Sequence, residues 1–140
     1  MCRVSEPARE DIAGQGACLI KIDQLMLTIA HRHSDRQGLP SDKVKTGESA
    51  QCAAHRATWE TTGFNVEVGT FLGADSDGVR VYGCQLQGSF GAEFVEFPVP
   101  AWAEDNIQSI KLIDPYEIQF RDWQKEEDLL LIRAYFDQVE

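Results

Sequence analysis

Three charged side chains in one short stretch of this 140-residue chain are spaced as if for phosphate or metal chemistry. They are Glu48, Arg56 and Glu60, within GLPSDKVKTGESAQCAAHRATWETTGF, Gly38 to Phe64. Carboxylates give a hard divalent cation the oxygen donors it needs, and a guanidinium braces carboxylates or meets a phosphate. The plainer reading also fits. Arg56 and Glu60 stand four apart, which on a helix makes a surface ion pair worth about 0.2–0.5 kcal/mol. Asp42 brings a further carboxylate just upstream. His31, Arg32, His33 and Arg36 form a second charged group. Its plain reading is a solvated charged loop. No partner spacing supports the histidines as metal ligands.

These residues need elements to hold them. QGACLIKI (Gln15 to Ile22) and LMLTIAH (Leu25 to His31) read as two strands joined by an Asp23-Gln24 turn. A long polar loop with Gly and Pro follows, of a length that often carries function. From about Ser49 to Thr62, Ala50, Ala53, Ala54 and Ala57 recur at i, i+3, i+4 and i+7. That predicts a helix with a small apolar stripe able to lie close on a sheet, ended by Gly63. Phe64 to Ala74 and Val79 to Gln87 read as a second hairpin around the DSDG turn, where Asp75 and Asp77 are turn residues. GSFGAEFVEFPVPAW is irregular. Ile107 to Ile113 reads as another strand, Asp114-Pro115 as a turn or helix start, and about Glu126 to Gln138 as a last helix. Hairpins mixed with helices favour α+β over a doubly wound parallel sheet.

Composition narrows the function. Thirteen basic against 23 acidic residues leave a net charge of -10, which speaks against a nucleic-acid polymer as partner. A small phosphorylated ligand needs only a few local cations. No apolar run has the length of a membrane span, and the N-terminus lacks an apolar signal region. A cytoplasmic protein is expected, or a periplasmic or secreted one if an upstream signal was removed. Cys2, Cys18, Cys52 and Cys84 form no CxxC pair, so zinc is not expected. Buried reduced thiols are the simpler expectation for Cys18 and Cys84; a disulfide between them is the alternative. Trp59, Trp102 and Trp123 suit packing or stacking on a base.

The order of hairpin, long loop, Gly47-Glu48-Ser49, Ala53-Ala54-x-Arg56, Glu60, Gly63-Phe64 and strand resembles the Nudix hydrolases. Their signature is G, five residues, E, seven residues, then R-E-U-x-E-E-x-G-U, where U is bulky and aliphatic. The later IKLIDPYEI also fits the family, and the resemblance runs from about Gly14 to Phe136. It implies one domain over residues 1–140, a Nudix-like α/β/α sandwich with a mixed sheet between the signature helix and the C-terminal helix. It implies hydrolysis of a nucleoside diphosphate linked to another moiety, with Mg2+ or Mn2+ bound. Carried over position by position, the catalytic set is Glu60, Arg56 and Glu48. The metal set is Glu60 and Glu48, with Asp42 as a compensating acid where the family has glycine, and the substrate-binding pair at the cleft edge is Arg32 and Arg36.

The departures bear on the chemistry. The family's Pro-Gly-Gly reads Pro40-Ser41-Asp42. The signature positions 57, 58 and 61 hold Ala57, Thr58 and Thr61, so one helix carboxylate stands where the family uses three. Glu93 and Glu96 are candidate replacements from a later loop. Weak metal binding and weak or absent hydrolysis are expected. The alternative is a catalytically dead domain that binds a nucleotide-like ligand or a protein partner. A homodimer stays open, and no membrane partner is expected.

Overall fold

A computed structural model describes residues 2–86 and 95–139. Six strands form one mixed sheet: β1 (Gly16–Ile22), β2 (Leu25–His31), β3 (Glu67–Ala74), β4 (Arg80–Gln85), β5 (Glu96–Phe97) and β6 (Ile107–Ile113). Their order is β3-β4-β1-β2-β6-β5. The β1–β4 pair is parallel and the other pairs are antiparallel. Two helices complete the fold, α1 (Ala50–Thr62) and α2 (Leu129–Gln138).

Side chains alternate along a strand, so one sheet serves two cores. Cys18 and Ile20 of β1 pack with Ala50 and Ala54 of α1. Their neighbours Ala17 and Leu19 pack with Leu129, Ile132 and Phe136 of α2. The sheet therefore lies between the two helices, as the α/β/α expectation had it. The small stripe of α1 permits close approach, and Gly16 completes it. A Cβ there would lie 1.9 Å from the Ala50 carbonyl oxygen.

The long loop is built into the sheet. β1 and β2 pair only at Lys21–Met26 and Ile22–Leu25, beside their turn. Beyond that they part, and Gly38 to Ser41 bridges to both. Ile29 and Gly38 exchange two backbone hydrogen bonds of 2.8 Å, while Ser41 bridges to Ala17. The strand edges are thereby satisfied, as buried backbone groups require. Leu39 is buried against the α2 side. This wedge brings Asp42 within 3.5 Å of Arg56 on α1.

Several boundaries differ from the expectations. Phe64 to Val66 lead out of α1 before β3 begins at Glu67. The irregular segment contains the short strand β5, paired with β6 at Lys111 and Ile110. The last helix begins at Leu129, after a 3₁₀ turn over Glu126–Asp128.

The expectation of reduced thiols is corrected. Parallel pairing sets Cys84 of β4 beside β1, and Cys18–Cys84 is a disulfide with Cα atoms 5.5 Å apart. Cys2 pairs with Cys52 of α1, Cα atoms 5.3 Å apart. That second bond follows from the N-terminal segment lying along β3 and α1. Ser5 N–H donates to Val68 O, and the buried Gln51 donates to Ala8 O and accepts from Glu10 N–H.

Candidate functional site

α1 is ended cleanly on both sides. The Ser49 hydroxyl accepts from Cys52 N–H at 3.2 Å, a capping bond typical of serine. Gly63 takes φ 77°, a left-handed conformation that glycine adopts without strain. Threonine is a poor helix former, yet three crowd the last turns. Each returns its hydroxyl to the preceding turn: Thr58 to Ala54 O, Thr61 to Ala57 O and Thr62 to Thr58 O. Their polar atoms are thus satisfied inside the fold.

One arginine organises the exposed face of that helix. Arg56 Nε and Nη2 reach the two Glu48 oxygens at 2.9 and 3.0 Å. Nη1 reaches Glu60 at 3.1 Å and Asp42 at 3.5 Å, and Nη2 also donates to Lys43 O. The forked geometry suits guanidinium and carboxylate. The pair is well covered, with side chains 15% and 14% exposed. The hydrogen bond from Arg56 holds the Glu48 carboxyl below its ordinary range against the opposing pull of burial. The same bond raises Arg56. Lys45 stands 3.8 Å from the other Glu60 oxygen.

A cleft of about 670 Å³ opens beside this cluster. Asp42, Glu60 and Thr61 line it from the loop and α1, and His31, Arg32 and His33 from the end of β2. Trp102, Asp105 and Asn106 close it from the segment before β6. It thus has an acidic wall and a basic wall. Arg32 is anchored by donating Nε–H to Glu104 O. Sequence reading singled out neither Asp105 nor Asn106; nothing in their spacing marked them, because the fold alone brings them there.

The other candidates lie elsewhere. Glu48 lines a second cleft of about 470 Å³ with His55, Arg56 and Trp59. Arg36 points away from the larger cleft, with Glu126 at 3.4 Å and Trp123 O at 3.5 Å. Glu96 is exposed on β5. Glu93 lies outside the described residues. Trp123 is buried in the α2 core. Asp75 accepts from Asp77 N–H and Val79 N–H as a turn residue does, and both aspartates also meet Lys125.

The donor set is a poor fit to a resident divalent cation. Ala57 offers no oxygen and is fully buried. The Thr61 hydroxyl is turned back to Ala57 O at 2.7 Å. Glu48 is spent on Arg56, and Glu60 is shared with Arg56 and Lys45. Among the described residues, no three His, Cys, Asp or Glu side chains gather to hold a metal ion. Hard cations want several oxygens at once.

Comparison with known proteins places the chain. No curated protein sequence matches it. Among solved structures it resembles a UDP-X diphosphatase, with 15% identity and TM-score 0.67, covering 96% of this chain and 68% of that one. An ADP-ribose pyrophosphatase from Streptococcus suis matches with 11% identity and TM-score 0.67, covering 89% of each chain. A MutT NUDIX hydrolase from Burkholderia pseudomallei has 18% identity and TM-score 0.60, covering 94% of this chain and all of the other. These identities speak for the fold alone. The sequence profile of the NUDIX domain matches residues 13–139, nearly the whole length, and with the fold and the signature helix on the same residues the chain belongs to the Nudix family.

Proposed function

We propose that this chain is one Nudix domain that takes a nucleoside-diphosphate-type small molecule into the cleft between Glu60 and Arg32, and hydrolyses it poorly. The observation that carries this reading is the state of the helix face around Glu60. Its neighbours at 57 and 61 are a buried alanine and a threonine whose hydroxyl is bonded to its own helix. Arg56 and Lys45 supply positive charge to the carboxylates that remain. A cation such as Mg2+ or Mn2+ finds too few donors to be held by the protein alone, so its recruitment depends on phosphate oxygens of the ligand. The basic wall supports binding of the diphosphate by Arg32 and the two histidines. The similarity to a UDP-X diphosphatase and to an ADP-ribose pyrophosphatase supports the ligand class.

The two disulfides favour an oxidising compartment over the cytoplasm. The reading tests by restoration. Ala57→Glu with Thr61→Glu returns two carboxylates to the helix face. Mg2+ affinity, measured by calorimetry, and formation of AMP from ADP-ribose or of UMP from a UDP-sugar are expected to rise together. A folded double variant that gains neither contradicts the assignment of the defect to these positions.

A further inference from the structure

Two indoles stand stacked between the two clefts, Trp102 lining the larger one and Trp59 the smaller. Trp59 of α1 and Trp102 lie with ring centroids 5.5 Å apart and planes 27° from parallel. Large apolar rings are usually covered, yet these are 45% and 59% exposed. Trp102 is nevertheless pinned. Its Nε1–H donates to Glu60 O at 3.1 Å. That carbonyl lies in the last turn of α1, where Gly63 N–H goes to Trp59 O and Phe64 N–H goes to the Thr62 hydroxyl. The indole thus supplies the hydrogen bond the helix end lacks. Its ring also rests on Gly63, where an added Cβ would lie 3.6 Å from it. The 3₁₀ turn that presents it, Ala101–Ala103, follows Pro100. The ring is therefore fixed on its edge and against Trp59, while much of it stays in solvent.

We propose that Trp102, backed by Trp59, is the stacking platform for a neutral heteroaromatic ring of the ligand, a nucleobase, at the opening of the cleft. This rests on the reading of the cleft as a diphosphate site. A fixed ring loses little conformational freedom on binding, and burial of its exposed part favours a flat apolar partner. The indole shares Glu60 with the acidic wall: its N–H holds the backbone oxygen, and the carboxylate lines the cleft. Asp42 and Asp105 are there as well. These charges oppose an anionic ring and leave an uncharged base as the preferred occupant.

The test uses indole fluorescence with three probes: adenosine, ADP and pyrophosphate. Trp123 is buried in the opposite core and gives a constant background. Adenosine and ADP are expected to quench the emission, and pyrophosphate to bind without quenching. Trp102→Ala is expected to weaken ADP roughly tenfold or more, in line with base–aromatic stacking. Trp102→Phe keeps a flat ring but loses the N–H that fixes it, so it recovers only part of the affinity, and pyrophosphate is unaffected by either change. If Trp102→Ala fails to fold, the Nε1–H resonances of the unaltered protein decide, because ADP then has to shift that of Trp102. Equal ADP affinity in folded Trp102→Ala, or unmoved indole resonances, overturns the platform. Quenching by adenosine without any binding of pyrophosphate leaves the platform standing and removes the diphosphate reading. Binding of pyrophosphate with no response to adenosine does the reverse.

Discussion

Arg56 grips Glu48 with two hydrogen bonds, Nε to Oε2 at 2.9 Å and Nη2 to Oε1 at 3.0 Å, while its third nitrogen reaches Glu60. The helix and the loop before it are joined through this one guanidinium. Arg56→Ala leaves three carboxylates facing one another with little to offset them. A loss of roughly 2–4 kcal/mol is expected, seen as a lower urea midpoint. Arg56→Lys keeps the charge but not the fork, and is expected to recover less than half of that loss. A wild-type midpoint in the lysine variant would show that the charge alone suffices.

Glu48 makes stability depend on acid. The hydrogen bond from Arg56 holds its folded-state pKa below the ordinary glutamate value, so its contribution is present above that ordinary value. It is lost as the pH falls through the lower folded-state value. Urea midpoints at pH 7, 5 and 3.5 are expected to fall across the last interval. Glu48→Gln starts lower at pH 7 and shows a flatter acid limb. An unchanged acid limb in that variant assigns the dependence to another group.

The alkaline limb has a different origin. Burial and the hydrogen bond to Glu10 push the Tyr82 hydroxyl up to about 12. Burial opposes the charge on Lys125, but hydrogen bonds to Asp75 and Asp77 lift it to about 12. Both groups hold their protons longer in the folded protein, so stability is retained up to about pH 10 and lost toward pH 12. Melting measured from pH 8 to 12 is expected to fall from about pH 10 onward. Lys125→Met lowers the melting temperature at pH 8 and shrinks the fall above pH 10. A fall of unchanged size in Lys125→Met removes Lys125 from the account.

The two disulfides are expected to open in order. Cys18 and Cys84 are buried in the α1 core, whereas Cys2 and Cys52 are partly exposed. Mild reductant followed by alkylation and mass analysis should label Cys2 and Cys52 first. The bonds close loops of 50 and 66 residues, worth up to about 4 kcal/mol each on the chain-entropy account. Simultaneous labelling of all four cysteines would indicate global unfolding as the route to reduction.

Local features were legible in the sequence and long-range ones less so. The alanine stripe, Ser49 and Gly63 mark α1 because helix periodicity and caps are local. Glu48, Arg56 and Glu60 meet because one helix and the adjoining turn carry them. Asp42 joins them only through the wedge of Gly38 to Ser41 between β1 and β2. No periodicity announces such a wedge. Arg36 sits four residues beyond Arg32 in a loop, and loop spacing says little about direction; it turned to Glu126. Cys2–Cys52 depends on where the N-terminal segment lies, which its charged, irregular sequence does not show. Trp102 is one aromatic among several in an irregular stretch until the helix end at Glu60 and Gly63 is set against it.

The central claim is a cleft that binds a diphosphate and cleaves it poorly. Calorimetric titration with ADP-ribose and with a UDP-sugar, with and without Mg2+, tests it when formation of AMP or UMP is followed on the same samples. The account predicts saturable binding that Arg32→Ala weakens, with Mg2+ binding detected only when the nucleotide is present and nucleoside monophosphate formed far more slowly than the ligand binds. Tight Mg2+ binding by the protein alone, or rapid turnover of either compound, would contradict it.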